Sequence, residues 1–276
     1  MQTFAASVIV SFFEKPDFLE KVLTGFTLQN FKDFEILIAD DGSGEKTVGE
    51  IRAMIHKSKI SIRHIHHENK GWRKNRILNQ AILASKSNYL IFTDGDCIPH
   101  HAFVAEHLDA SKPDTVLTGR RVYLGAGLSK FLTSQRIRRK VLKRFGLFLL
   151  VADRIAGGSS HIENGIYFKN PAIRRRINRK DKGILGSNFS LHKKTLFAVN
   201  GFDERYESPA VGEDTDLEYR LRNAGYHITS VKHLAIQYHL CHEVLKRDSE
   251  NLKLLEEVIR EKTTKTPYGI NKESVS

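Results

Sequence analysis

Asp94 and Asp96 stand one residue apart in NYLIFTDGDC, residues 88–97, directly after an apolar run. Tyr89 to Phe92 predict a short strand buried on both faces, as in a parallel sheet. Both acids then fall just past its carboxyl end, and Gly95 between them gives the backbone room to turn sharply. Ligands of open α/β sheets bind in the crevice outside the carboxyl ends of the strands. Two carboxylates there can hold a hard divalent cation and, through it, a phosphate. A solvated Asp-Gly turn is the plainer alternative. A second acidic group, Glu213, Asp214 and Asp216, precedes a helical stretch, Leu217–Ala224, that ends at Gly225. One acid at a helix start serves as cap or dipole partner, and three within four positions exceed that need.

The elements that must position these acids alternate along the chain. Ala6–Phe12, Phe34–Ala39 and Ile60–His66 predict strands; Pro16–Gln29, Glu45–Ser58 and Arg73–Ser85 predict helices. In the first helix Pro16 opens the turn, and Phe18, Val22 and Phe26 recur four apart. Such alternation predicts an α/β fold: a mostly parallel central sheet flanked by helices and joined by right-handed crossovers. The sheet would bring Ser11, the turn at Asp40-Asp41-Gly42, Arg73 and the Asp94/Asp96 pair toward one crevice. A nucleotide-sugar suits it, with carboxylates for base and ribose, Arg for the diphosphate, and a divalent metal between protein and phosphate oxygens. No G-x-G-x-x-G follows the first strand and no Walker A lysine loop is present, which argues against a dinucleotide or P-loop site.

Composition narrows the class. The 276 residues are 40% hydrophobic and 28% charged, the balance of a globular chain with a substantial core. Two cysteines, Cys97 and Cys241, make no disulfide framework and suit a reducing compartment. The amino terminus has no basic leader or small-residue cleavage site, so no signal peptide is expected. The formal charge of +12 is local: residues 128–182 hold fifteen Lys and Arg against three acids, while the remainder balances at 29 of each sign.

The runs SVIVSFFEKPDFLEKVLTGFTLQNFKDFEILIADDGS, GWRKNRILNQAI and YLIFTDGDCIP resemble the nucleotide-binding half of family 2 glycosyltransferases with the GT-A fold. Further on, ILGSNFSLHKKTLFAVNGFDERYESPAVGEDTDLEYRLRNAGY is similar to the acceptor half of chondroitin-polymerase-type enzymes and the β-1,4-galactosyltransferase group. The resemblance implies a GT-A nucleotide-diphospho-sugar transferase fold, divided as 1–127 nucleotide-sugar half, 128–182 basic helical insertion, 183–240 acceptor and catalytic half, and 241–276 C-terminal helix and tail. It further implies that Ser11 and Asp41 meet the uracil, Arg73 holds the nucleotide, Asp94 contacts the ribose and Asp96 ligates Mn²⁺ or Mg²⁺ on the diphosphate. Asp214 would be the general base of an inverting single displacement, with Glu213 orienting it or binding the acceptor. A histidine completes the metal shell in some such enzymes, which nominates His239 ahead of His242, while a structural or solvated role is the plainer reading of such a pair.

Several residues carry two readings. Asn188, in GSNF, either contacts a sugar or belongs to the loop scaffold; Phe202 either packs beneath the acidic loop or, the plainer reading, is part of a loop-and-turn scaffold; Cys97 is a small apolar residue beside the site. Gln135–Leu150 predicts one amphipathic basic helix, and Arg174-Arg175-Arg176 with Arg179 and Lys180 forms a second basic cluster. That segment suits either a solvated cover or an anionic lipid interface reached by a lipid-linked saccharide acceptor. The expected location is cytoplasmic, peripheral on the inner face of the cytoplasmic membrane. A nucleic-acid module is the rival from another class, but it leaves the acids without a purpose, so no nucleic-acid partner is expected. A sugar nucleotidyltransferase is the rival among enzymes, against which the acceptor-like acidic region weighs. The tail, with Leu252, Leu255, Val258 and Ile259 at helical spacing, is expected to pack on the catalytic domain.

Overall fold

The computed structural model describes residues 3–170, 183–209, 213–243 and 250–271. Strands β1 (Ala6–Phe12), β2 (Phe34–Asp40), β3 (Ser61–His66) and β4 (Tyr89–Asp94) run parallel in the order β3-β2-β1-β4. Three further strands are β6 (Thr115–Thr118), β8 (Asn188–His192) and β9 (His227–Ser230), and they extend this sheet as β4-β8-β6-β9. Within it β8 alone is antiparallel to its neighbours. Because β8 pairs directly with β4, the two expected halves share one sheet. A small second sheet joins β5 (Cys97–Pro99), β10 (Ile236–His239) and β7 (Arg120–Tyr123), with β10 in the middle.

Hydrophobic burial on both faces explains the near-continuous apolar runs of β1, β2 and β4. Along β1, Val8, Val10 and Phe12 join the layer under α1 (Pro16–Thr27), while Ile9 joins the opposite layer with Ile77, Leu78 and Ile82 of α3 (Lys74–Ala84). Burying each such side chain contributes about 1.5–3 kcal/mol, which fixes the register of β1 against its neighbours. Helices α2 (Glu45–Lys57) and α4 (Phe103–Asp109) complete the first half.

The basic segment is helical, as expected, but broken. In place of one helix over Gln135–Leu150 there are α5 (Ala126–Phe131), α6 (Ser134–Arg138) and α7 (Val141–Ile155). Lys140, at φ 59°, makes the break in a left-handed conformation. Helical phase accounts for it: Ile137, Gly146 and Leu150 are all buried, yet on one straight helix Ile137 would lie about 180° from Gly146 and about 220° from Leu150. Turning at Lys140 lets both pieces face the core. The cluster Arg174-Arg175-Arg176, Arg179 and Lys180 lies outside the described residues.

Helices α8 (Lys193–Ala198), α9 (Glu213–Asn223) and α10 (Glu250–Glu261) form the second half. Arg220 on α9 is fully buried and donates to Asp216 Oδ2 at 2.6 and 2.9 Å, to the Val199 carbonyl at 2.7 Å and to the Gly201 carbonyl at 2.9 Å. The tail packs on the catalytic domain, but not by the whole expected stripe: Val258 is buried while Leu252 and Ile259 are exposed, and beyond the helix the Asn200 amide donates to the Thr266 and Asn271 carbonyls and Thr266 Oγ1 donates to Asp203.

Two predictions concern this frame. Removing one partner of a buried ion pair strands the other, so Arg220→Met should cost about 3–5 kcal/mol of unfolding free energy by urea denaturation; a loss within experimental error of zero contradicts that account. Asp40, at the end of β2, is bonded to His64 Nε2 at 2.8 Å, to the Ser43 amide at 3.0 Å and to Ser43 Oγ at 2.6 Å. Burial pushes its carboxyl up, but the bonds from His64 and Ser43 outweigh this and hold it below the ordinary range. Its contribution to stability is therefore fully present above the ordinary carboxylate pKa and is lost as pH falls through the lowered folded value. Urea midpoints measured from neutral pH down into the acid range should fall less steeply for Asp40→Asn than for the unaltered chain, and parallel slopes would refute it.

Candidate active site

Strand register builds the floor of the cleft. Ser11 on β1 lies opposite Asp94 on β4, and the Gly95 amide donates to the Ser11 carbonyl at 2.7 Å. Gly95 is needed for close approach: an added Cβ would stand 2.9 Å from the Phe12 ring and 3.2 Å from the Ser11 carbonyl. Asp94 is thereby the last residue of the strand, with Lys74 Nζ 3.7 Å from one carboxylate oxygen and Arg121 3.6 Å from the other. Burial, then the charges of Asp96 and Asp214, push its carboxyl up against the pull of Lys74 and Arg121. Three carboxylates are thus close enough to act on one another.

Asp96 faces a different set. Its Oδ2 is 2.9 Å from His242 Nε2, and its Oδ1 is 3.6 Å from His239 Nε2. Burial would raise the Asp96 carboxyl, but the bond to His242 and the charges of His239 and His242 outweigh it and hold it low. His239 is pushed down to about 4, chiefly by burial, whereas the bond to Asp96 raises His242. Both histidines come from the end of β10, which β5 holds beside Asp96 through the pairing of His239 with Cys97. The expectation ranked His239 first; His242 stands closer to Asp96. Asp96, His239 and His242 each offer one ligand atom, and these atoms lie within 4.8 Å of one another. One carboxylate oxygen and two imidazole nitrogens are a fitting donor set for a divalent first-row ion.

Asp41 and Arg73 sit on the rim. The Asp41 carboxylate is bonded to His67 Nε2 at 2.8 Å and accepts from the Arg73 backbone amide at 2.9 Å. Gly42, at φ 94°, lets this turn lie against Asn69, whose backbone a Cβ there would meet at 2.6 Å. The Arg73 side chain donates to the Glu68 carbonyl. Yet His67 Nδ1, Trp72 Nε1 and Arg73 Nε are buried with no hydrogen-bond partner among the described residues. Buried polar groups are normally satisfied, so three orphans on one loop mark a surface shaped for something else.

Asp214 lies across the cleft at the start of α9. Its Oδ2 accepts from the Gly186 amide at 3.0 Å, and it borders a hollow shared with Ser11, Lys74 and Phe92. Glu213 opens the same helix, and its side chain lies outside the described residues. Asn188 turns inward rather than into the cleft: it is fully buried on β8, donating to the Arg120 and Ala235 carbonyls and bonded to His107 Nε2 at 3.1 Å. This is the scaffold reading of the residue, because a sugar could reach that amide only by breaking three bonds. Phe202 packs edge-on to Phe92 at 5.7 Å, with Phe92 and Phe189 stacked at 4.5 Å, and it borders the hollow that Asp214 also lines. Lys74 and Arg121 were missed from the sequence. Lys74 adjoins Arg73, so only helical phase separates them, whereas Arg121 carries no local signal and reaches Asp94 through the long-range pairing of β7 with β10.

Comparison with known proteins follows this geometry. The sequence model of glycosyl transferase family 2 matches residues 7–177, and one described as the N-terminal domain of galactosyltransferase matches residues 172–243. The chain is 28% identical over 211 residues to a chondroitin synthase of Escherichia coli, covering 75% of this chain and 30% of that protein. It is 24% identical over 234 residues to a hyaluronan synthase of Pasteurella multocida, covering 79% and 23%. It therefore spans less than a third of the length of these relatives. Among solved structures, S. aureus TarS 1–349 in complex with UDP superposes with a TM-score of 0.59 at 15% identity, covering 93% of this chain and 64% of that one. The mannosyltransferase PcManGT from Pyrobaculum calidifontis, in complex with GDP-Man and Mn²⁺, gives 0.56 at 14%, covering 92% and 61%. These likenesses show the GT-A fold. With a family match over more than half of its length on that fold, the chain is a glycosyltransferase and belongs to glycosyl transferase family 2.

Proposed function

We propose that the chain moves a sugar from a UDP-sugar to a hydroxyl of a saccharide acceptor, with inversion at the anomeric carbon. The observation that carries this reading is one cleft at the carboxyl edge of the sheet with separated charges: Lys74 and Arg121 at Asp94, two histidines at Asp96, and Asp214 opposite. The orphaned groups of His67, Trp72 and Arg73 beside Asp41 suit a nucleobase at the rim, and Asp94 with Ser11 suits the ribose. Lys74 and Arg121 offer cations to the diphosphate.

Asp96 and His242, with His239, would hold Mn²⁺ or Mg²⁺, and the two imidazoles favour Mn²⁺ over the harder Mg²⁺. When bound, the ion would neutralise charge on the departing diphosphate. Asp214 would take the acceptor proton as the hydroxyl oxygen attacks the anomeric carbon and the bond to UDP breaks. The Gly186 amide holds Oδ2, and the Thr215 hydroxyl donates to Oδ1 at 3.4 Å, a long bond that the acceptor hydroxyl would replace when it delivers its proton there. The relatives' names, chondroitin synthase and hyaluronan synthase, favour a glycan acceptor in cell-surface polysaccharide synthesis. The basic segment 128–182 suits a lipid-linked acceptor, as in lipopolysaccharide synthesis, met at the inner face of the cytoplasmic membrane. No helix among the described residues is long and apolar enough to cross a membrane.

UDP release from a panel of UDP-sugars, followed with Mn²⁺, with Mg²⁺ and after chelation, checks this reading. Release should require the ion and disappear in Asp96→Ala; ion-independent release would sink the metal role. Asp214→Asn should lower kcat about 10²–10⁴-fold while leaving UDP affinity near its starting value. Unchanged kcat in that variant would remove Asp214 as the base.

A further inference from the structure

The outer face of α7 is apolar where a monomeric surface helix is ordinarily polar. Phe148 and Ile155, seven residues apart on one face, are 72% and 83% exposed, with Phe145 at 56% and Leu147 at 54% beside them. The acid of this helix, Asp153, is turned inward to Ser159 and the Gly125 amide. The bases stay outside: Arg138, Arg139, Lys140, Lys143, Arg144 and Arg154 are all exposed.

At the amino-terminal end of α7 this face adjoins a pocket of about 380 Å³ on the side of β5 away from Asp96. Lys140 and Lys143 stand at its mouth, His100 and His101 on its wall and Tyr238 at its base. No Asp or Glu lines it. Burial, then the charges of His101 and Lys143, push His100 down to about 3, which marks a site short of negative charge. His101 Nδ1 is buried with no hydrogen-bond partner. Lys143 and Leu147 lie one turn apart, so the pocket mouth and the apolar face are contiguous.

We propose that α7 seats its apolar face in an anionic lipid surface while the pocket at its amino-terminal end takes a phosphate-bearing lipid headgroup. Exposed Phe, Leu and Ile enter the boundary of the acyl region, and the flanking bases meet the anionic headgroups, the arrangement of helices that lie in an interface. Charge decides against a second copy of the chain as the occupant, since two such faces meeting would bring their bases together. This extends the membrane part of the proposed function and uses no residue of the catalytic cleft, so its failure would leave the transferase reading standing.

Vesicle flotation tests it. The full chain should float with phosphatidylcholine vesicles that contain phosphatidylglycerol and not with phosphatidylcholine alone. Phe148→Glu/Ile155→Glu should lose at least about tenfold in vesicle affinity. Lys140→Glu/Lys143→Glu should lose a similar amount, with UDP release and thermal melting of both variants near those of the unaltered chain. Equal flotation with both vesicle types, or with neither, would overturn the proposal. So would unchanged vesicle binding in both variants, or a dimer in sedimentation that Phe148→Glu/Ile155→Glu dissociates without any effect on vesicles.

Discussion

Concentrating Asp94, Asp96 and Asp214 in one half-buried cleft is the constraint on which the remaining structure depends. Each carboxylate placed out of water loses solvation, and each raises the cost of ionising the next. The chain meets this by giving every acid its own counter-group. Lys74 and Arg121 flank Asp94, the two histidines of the β10 end face Asp96, and a backbone amide holds Asp214. These compensating groups come from α3, β7, β10 and the loop before β8, so the charge balance draws on segments from both halves and from both sheets. Asp94 remains raised while Asp96 is held low, and adjacent acids of one motif are thereby set apart electrostatically.

Such a site needs a rigid bed, since a displacement of about 1 Å costs transferases dearly. The bed is aromatic and polar by turns. Phe92 stacks on Phe189 and Phe202 meets both rings edge-on beside Ser11, and Asn79 clamps Phe202 by accepting from its amide and donating to its carbonyl. Beneath Asp214, Asp216 and Arg220 tie α9 to the loop at Val199–Gly201, and that loop is pinned in turn by Thr266 and Ile270. The chain's last described segment therefore bears on the position of the proposed base without approaching it. Of the acids in the Glu213–Asp216 group, Asp216 supports the helix from inside and Asp214 faces the cleft, so at least two of the three have work other than capping.

The parts legible in the sequence are those where one face or one period decides. The parallel strands announce themselves because both faces are buried and their residues are uniformly apolar. Asp94 and Asp96 follow from the end of such a strand. Short strands with mixed character, Thr115–Thr118, Arg120–Tyr123 and His227–Ser230, give no comparable signal, because their partners are remote in sequence and supply the burial. Arg121 was lost with them. Asn188 shows the reverse case: a polar residue after Gly-Ser reads as a loop, yet it begins a buried strand and spends its amide on backbone carbonyls. His239 and His242 were visible as a pair, and only the closing of β10 on β5 sets their order of approach to Asp96.

The break at Lys140 sharpens the choice between a solvated cover and a lipid interface for the basic segment. On one straight helix the bases and apolar groups of residues 135–150 would spread around the circumference. Broken and rephased, the segment sorts: Ile137, Gly146 and Leu150 go to the core, while Phe145 and Phe148, with Ile155 beyond them, are left outside among the bases. A left-handed Lys costs roughly 1–2 kcal/mol, and a sequence indifferent to the outer face could have avoided that cost with a Gly or with a polar helix. The strained residue and the exposed apolar side chains together suit the proposed interface, which lies on the opposite side of β5 from Asp96.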